Sequence, residues 1–207
     1  EADGCVMDLH APNLVVLPNT TEQVAAVVQL ALQAGVPIVP RGAGTGLAGG
    51  VTPMQGGIVI ATTRMDKVLE VDPRNRRARV QPGVINWELS QQLAPHGYQF
   101  VPDPSSQRAC TVGGNIANNS GGPHCLKYGN TTNHIVGATV VLAGGEVIEL
   151  GGAAPDAPGY DLLGAFVGSE GTLGIATELT VRLTPDPESV RTFLAIYDDL
   201  DAAADTV

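Results

Sequence analysis

Charged residues are scarce, at 15% of the 207 positions, and no run of lysines and arginines forms a basic stripe. Charge this sparse is not that of a disordered chain, and hydrophobic residues reach 43%, enough to build a core. The missing basic stripe and a formal net charge of -10 argue against nucleic acid as a partner. No apolar stretch approaches the roughly 20 residues needed to span a bilayer. The first residues also lack a basic stretch followed by an apolar one, so neither a transmembrane segment nor a leader is expected. Only three cysteines occur, Cys5, Cys110 and Cys125. Odd in number and far apart, they match neither a zinc-site spacing nor a disulfide framework. A reducing, cytoplasmic setting is expected, or a place at the membrane periphery within a larger complex. Internal repeats and low-complexity linkers are missing as well, and the length suits one domain with room for two lobes.

Glycine is what the sequence has in abundance, 26 residues, many of them in three dense clusters. Between the clusters the patterning is regular. Residues 14 to 40 read as strand, helix, strand. Val24, Val27, Val28 and Ala31 keep helical spacing, Thr20 with Gln23 forms a capping box, and Gly35 is a natural stop. A strand is expected over Ile58 to Ala61. VLEVD and RRARVQP read as two strands joined across a Pro-Arg-Asn turn, and INWELSQQLAPHG as a short amphipathic helix. GATVVLAGGEVIEL signals a hairpin turning at Gly144 and Gly145, and GIATELTVRL a last strand near 174 to 183. Beyond it, TFLAIYD reads as a strand and LDAAADTV as the first turns of a helix. A βαβ lobe over about 1 to 64 followed by a mixed lobe over 65 to 190 gives an α+β class. Residues 191 to 207 are expected to open a further domain.

The first cluster runs from Pro40 and Arg41 through Gly42, Ala43, Gly44, Thr45, Gly46, Leu47 and Ala48 to Gly49 and Gly50. Residues 44 to 49 match GxGxxG after a strand. A dinucleotide site of that kind needs a helix directly after the glycines, and Gly49-Gly50-Val51-Thr52-Pro53 cannot sustain one. No Gly-Lys-Ser/Thr follows either, which removes the P-loop. What remains is a loop whose successive backbone N–H groups can curl around an anion without a helix, or a flexible surface loop. The second cluster, Thr111 to Gly122 behind Val101-Pro102-Asp103-Pro104-Ser105, mixes small residues with amides and hydroxyls. That mix suits a polar ring edge or a ribose, or a turn-rich connection. The third, Gly168 to Ile175, runs into a strand and could be a plain loop. Together the three point to one extended ligand held between two lobes.

PRGAGTGLAGG, PDPSSQRACTVGGNIANNSGG and GSEGTLGI, in this order, resemble the FAD-binding domain of the vanillyl-alcohol oxidase and p-cresol methylhydroxylase superfamily. Within it they are most similar to the glycolate oxidase flavoprotein subunit and D-lactate dehydrogenase group. The resemblance covers residues from about 5 to 190. It implies two α+β lobes gripping an extended FAD, with a separate cap domain over the flavin ring. Arg41 to Leu47 would wrap the pyrophosphate, flanked by Pro40 and Gly50. Pro82, Gly83, Pro104, Ser105, Thr111, Gly113, Gly114, Asn118, Ser120 and Gly121 would line the path to the ribityl chain and flavin. Gly171 and Ile175 would sit near the adenosine part or the lobe interface. Relatives that attach FAD covalently often carry His in the first loop where this chain has Thr45, so non-covalent FAD is implied.

The activity so implied is oxidation of a small 2-hydroxy acid, glycolate or D-lactate in type, with hydride passing to flavin N5 and electrons to a non-NAD acceptor. Two alternatives share these loops: a non-catalytic FAD-carrying electron-transfer subunit, and an NADPH-dependent enolpyruvyl sugar nucleotide reductase. In the resembled family a His-rich metal motif and substrate-binding arginines belong to the cap domain, and no such motif occurs here. His10, His96, His124 and His134 lack metal-ligand spacing and read as ordinary polar or surface residues. Lys127, Tyr128 and Asn130 could face the flavin. No catalytic or metal-binding residue is assigned to this chain.

Overall fold

The computed structural model describes Gly4 and residues 9–152 and 159–206; Cys5 lies outside them. The chain opens with β1 (Leu14–Val16), α1 (Thr21–Ala34), β2 (Ile38–Arg41) and β3 (Ile58–Ala61). The three strands form a parallel sheet in the order β1-β3-β2. Helix α1 starts where the Thr20 hydroxyl accepts from the Gln23 amide at 3.3 Å, while Gln23 Oε1 accepts from the Asn19 amide at 2.7 Å. It stops at Gly35, whose φ of 63° suits glycine. The helix buries Val24, Val28 and Ala31 on one face.

A second sheet is antiparallel. It contains β4 (Val68–Asp72), β5 (Arg77–Val80), β7 (Ile135–Val141), β8 (Val147–Gly151) and β9 (Ile175–Arg182), in the order β4-β5-β9-β7-β8. Both expected hairpins are present, β4 with β5 and β7 with β8. In β9, Ile175, Thr177, Leu179 and Val181 are buried alternately, the period of two of a half-covered strand. On that face pack α2 (Asn86–Leu93), α3 (Val112–Asn118) and α5 (Leu162–Phe166), which contribute Leu89, Leu93, Val112, Ile116 and Phe166 to the main core. Between α2 and α3 lies β6 (Tyr98–Gln99), and β10 (Thr184–Pro185) pairs with it; α4 (Cys125–Tyr128) is a single turn.

The two sheets meet through α1. Val24 and Val28 share a buried cluster with Ile60 and Met65 from the first sheet's side and Val141 and Ile175 from the second. The Thr21 hydroxyl donates to Thr177 Oγ1 at 3.0 Å across the junction. The glycine loop after β2 is thereby carried over the second sheet's helices.

Two segments differ from expectation. TFLAIYD forms no strand: Phe193, Leu194 and Ile196 are 84%, 89% and 87% exposed, and among the described residues no neighbouring backbone pairs with them. A β-rich run becomes a strand only against a partner. The helix after it does form, as α6 (Leu200–Thr206). The second departure is α3, a helix within the Thr111 to Gly122 cluster, where glycines argue against one.

Candidate cofactor site

Helix α3 forms because its ends are capped and its glycines are needed. The Thr111 hydroxyl accepts from the Gly114 amide at 3.3 Å, and Asn119, at φ 46°, closes the far end. Val112, Asn115 and Ile116 turn inward at helical spacing. A Cβ on Gly113 would lie 2.6 Å from Pro82 Cβ and 2.9 Å from its carbonyl oxygen, so only glycine lets the helix approach that close.

Above α3 runs the loop that follows β2, and between them lies a cleft of about 430 Å³. The volume is that of a small-molecule site. Arg41, Gly42, Ala43, Gly44, Thr45, Gly46, Leu47 and Gly50 line it from the loop, with Pro40 at its root. Pro82, Pro104 and Ser105 form one wall, and Thr111, Gly113, Gly114, Asn118, Ser120 and Gly121 the floor. Gly171 and Ile175 close the opposite end, where Gly171 abuts the Pro40 ring and Ile175 belongs to the buried junction between the sheets. Gly83 does not line the cleft. It is packed against the carbonyls of Thr62 and Met65, and its amide donates to Met65 O at 2.7 Å. Its glycine requirement is structural.

The chemistry of the loop lies in its backbone. Ala43 to Ala48 all line the cleft, and none of their six amides donates to a protein acceptor among the described residues. Such a run is an anion-binding surface. The amides at the start of α3 are already occupied: Val112 donates to Val84 O, Gly113 to Pro82 O and Gly114 to the Thr111 hydroxyl. The amides without a protein acceptor are therefore those of the loop and not those of the helix start. Among the described residues Arg41 is the one basic side chain on the lining and Glu170 the one acidic.

Further lining residues were not singled out by sequence. Asn115, Asn119, Ser169 and Glu170 fall within the quoted clusters, so their positions carried a signal. Ser106 and Cys110 lie in the quoted stretch PDPSSQRACTVGGNIANNSGG, whereas Thr62 and Phe166 reach the cleft through folding alone. Asn86 and Asn115, each 1% exposed, form a polar floor beneath it. Asn86 Nδ2 donates to Asn115 Oδ1 at 2.9 Å and to Pro102 O at 2.7 Å, and Asn115 Nδ2 donates to Cys110 Sγ at 3.3 Å. The segment that carries Pro104 and Ser105 is thus anchored at both ends.

Lys127, Tyr128 and Asn130 do not line the cleft; the Lys127 ammonium lies 4.8 Å from the Tyr128 ring centre. His134 is not a surface residue. It is 4% exposed, and its Nε2 donates to Tyr128 O at 3.1 Å, which leaves Nδ1 buried without a partner. Burial, reinforced by the positive charge of Arg182, pushes its pKa below the ordinary value, and the bond to Tyr128 opposes this. His124 Nδ1 pairs with Asp103 Oδ2 at 2.5 Å on the surface. Among the described residues no His, Cys, Asp and Glu side chains gather to hold a metal ion.

Comparison with known proteins decides the family. The model of the FAD binding domain family matches residues 12–151. The chain belongs to that family. FAD is accordingly its cofactor, and the partnerless amides and glycine cradle fit that group. The chain is 48% identical to glycolate oxidase subunit GlcD of Escherichia coli K12 over 203 residues, which are 98% of this chain and 41% of that protein. It is 42% identical to a D-lactate dehydrogenase of Anaerostipes hadrus over 95% of this chain and 41% of the relative. An alkyldihydroxyacetonephosphate synthase structure superposes with a TM-score of 0.76 at 35% identity, covering 84% of this chain and 34% of that one. The chain spans about two-fifths of the length of these curated relatives.

Proposed function

We propose that this chain is the FAD-binding part of a flavin-dependent 2-hydroxy-acid dehydrogenase of the glycolate or D-lactate type, holding FAD without a covalent bond. The partnerless amides of Ala43 to Ala48 carry this reading. They, with Arg41, would hold the pyrophosphate, whose charge they meet with dipoles already fixed by the fold. Asn118 and Ser120 would face the polar chain leading to the ring, and Pro104 and Ser105, anchored by Asn86, would set the ring's edge. Phe166, Ile175 and Gly171 would exclude water from the far end.

Oxidising a 2-hydroxy acid requires a carboxylate-binding group, a base or metal for the hydroxyl proton and a hydride acceptor, the last of which FAD supplies at N5 before its electrons go on to a non-NAD acceptor. Among the described residues on the cleft lining only Arg41, Glu170 and Cys110 are ionisable, so the proton acceptor and the substrate-carboxylate site are sought beyond this lining. The relatives' names favour a 2-hydroxy acid as substrate, since they include glycolate oxidase, D-lactate dehydrogenase and D-2-hydroxyglutarate dehydrogenase. The test is visible absorption of the purified chain titrated with FAD. A saturable flavin spectrum with shifted bands is expected, without turnover of glycolate or D-lactate by the chain alone. Absence of binding at high FAD would overturn the assignment of the cleft.

A further inference from the structure

A second recess lies on the antiparallel sheet, away from the cofactor cleft. Five of the chain's 11 basic residues, Arg74, Arg76, Arg77, Arg79 and Arg182, fall in the β4–β5 turn, on β5 and at the end of β9. The remainder of the chain is acidic enough to bring the net charge to -10. Arg77 and Arg182 are directly opposed across the β5–β9 ladder. Like charges in that relation repel, so the pair works against the sheet. Asp72 offsets Arg77 at 3.5 Å, yet the same carboxylate also accepts from the Asn75 amide and side chain. Arg79 is paired with Glu178 at 3.9 Å. Arg76 and Arg182 have no ion pair among the described residues.

Arg76 adds a second anomaly. Its φ is 51°, a left-handed conformation that glycine or asparagine adopts with less strain. The turn needs this shape because the Arg76 carbonyl accepts from the Leu183 amide at 2.8 Å. Any residue that tolerates the conformation would satisfy that bond, so the turn itself does not call for the guanidinium. Strain of this kind points to a task for the side chain.

The guanidinium groups border an open recess of about 1020 Å³. Arg76, Arg77 and Arg182 line it together with Tyr160 and Leu162, which are 95% and 60% exposed. Among the described residues two carboxylates also border it, and both are engaged locally: Glu149 accepts from the Thr139 hydroxyl at 2.8 Å and Asp161 from the Gly164 amide at 2.8 Å. Arginine beside an exposed tyrosine is the composition of a protein-binding surface, and Leu162 adds apolar area next to it. The volume is at the upper limit for small-molecule pockets. A bilayer offers a plane of charge, whereas these arginines line a hollow.

We propose that this recess docks an acidic segment of a partner protein. Carboxylates from the segment would take bidentate bonds from Arg76 and Arg182 and relieve the Arg77–Arg182 repulsion, while apolar neighbours in the segment rest on Tyr160 and Leu162. The inference is independent of the flavin assignment, because none of these residues borders the cofactor cleft.

The test uses a fluorescein-labelled ten-residue glutamate peptide and anisotropy at low salt, with the purified chain and two variants. The double variant Arg76→Asn, Arg182→Thr removes both unpaired guanidinium groups and keeps residues suited to the turn and the strand. Arg79→Gln removes a charge on the same sheet that already has its partner. Peptide binding to the wild-type chain is expected to weaken about tenfold or more in the double variant, to change less than about twofold in Arg79→Gln, and to fall as salt rises. FAD titration should be the same for all three proteins. The proposal is overturned if the wild type does not bind the peptide, if the double variant binds as well as the wild type, or if the two variants lose binding equally. Binding to phosphatidylglycerol vesicles but not to the peptide also overturns it, in favour of a membrane surface.

Discussion

The Asn86–Asn115 bond tests how the cofactor cleft is built, because it joins the floor of α3 to the segment carrying Pro104 and Ser105. Both side chains are 1% exposed, so water cannot replace a lost partner. Asn115→Ala removes the acceptor of one Asn86 N–H and the donor to Cys110, and it leaves a small void. An unsatisfied buried amide hydrogen costs about 1 to 3 kcal/mol, and with the void the expected destabilisation is about 2 to 4 kcal/mol. Asn86→Ala should cost as much, since it strands the Pro102 carbonyl and leaves Asn115 Oδ1 only the weak Cys110 thiol donor at 3.8 Å. The double variant removes donor and acceptor together, so its loss should fall short of the sum by about 1 to 2 kcal/mol. Urea denaturation of the four proteins measures the cycle, and FAD titration of the same samples should show weaker binding in each variant as the Pro104–Ser105 wall loosens. Additivity within about 0.5 kcal/mol would refute the bond as an energetic link, and unchanged FAD affinity would refute its role in shaping the cleft.

Gly42→Ala would place a Cβ 2.5 Å from Thr111 Oγ1. It should unseat the α3 cap, with a loss of about 1 kcal/mol in thermal or urea unfolding, and weaken FAD binding about tenfold or more; Thr111→Ala should reproduce the loss of stability, and Thr111→Ser should not. His134 has a folded-state pKa below its unfolded value. Its unfolded form therefore takes up a proton first, and its contribution to stability, complete above the ordinary histidine range, declines as pH falls from that range towards the depressed folded pKa. Urea midpoints measured from pH 8 to 5 should show this decline, and His134→Gln should remove that part of it. By the family resemblance, Thr45 stands where relatives that attach FAD covalently often carry histidine. Acid precipitation of the flavin-loaded chain should therefore leave all the yellow colour in the supernatant, and flavin retained in the pellet would contradict a non-covalent site.

Sequence was most informative where the signal is local. The capping residues of α1, the apolar face at Val24, Val28 and Ala31, and both hairpins stand where patterning puts them, because caps, helical spacing and tight turns act within a few residues. Helix α3 was hidden for the same reason. Gly113 and Gly114 weigh against a helix locally, and what outweighs them is the Pro82 backbone pressed against Gly113, more than 30 residues away in sequence. TFLAIYD shows the converse case, a strand-like composition with nothing beside it to pair with.

From its sequence alone this protein was legible as an α+β chain with three glycine clusters serving one extended ligand, because glycine spacing and the failure of a helix after Gly50 are properties of neighbouring residues. Only the tertiary structure showed that the amides of Ala43 to Ala48 have no protein acceptor among the described residues while those at the start of α3 are taken, and that Gly83 supports the wall without lining it. It alone set Arg77 against Arg182 across two strands and buried Asn86 against Asn115. Whether a backbone amide is spent on a neighbour or left for a ligand depends on which distant carbonyl the fold brings to it, and no local pattern encodes that.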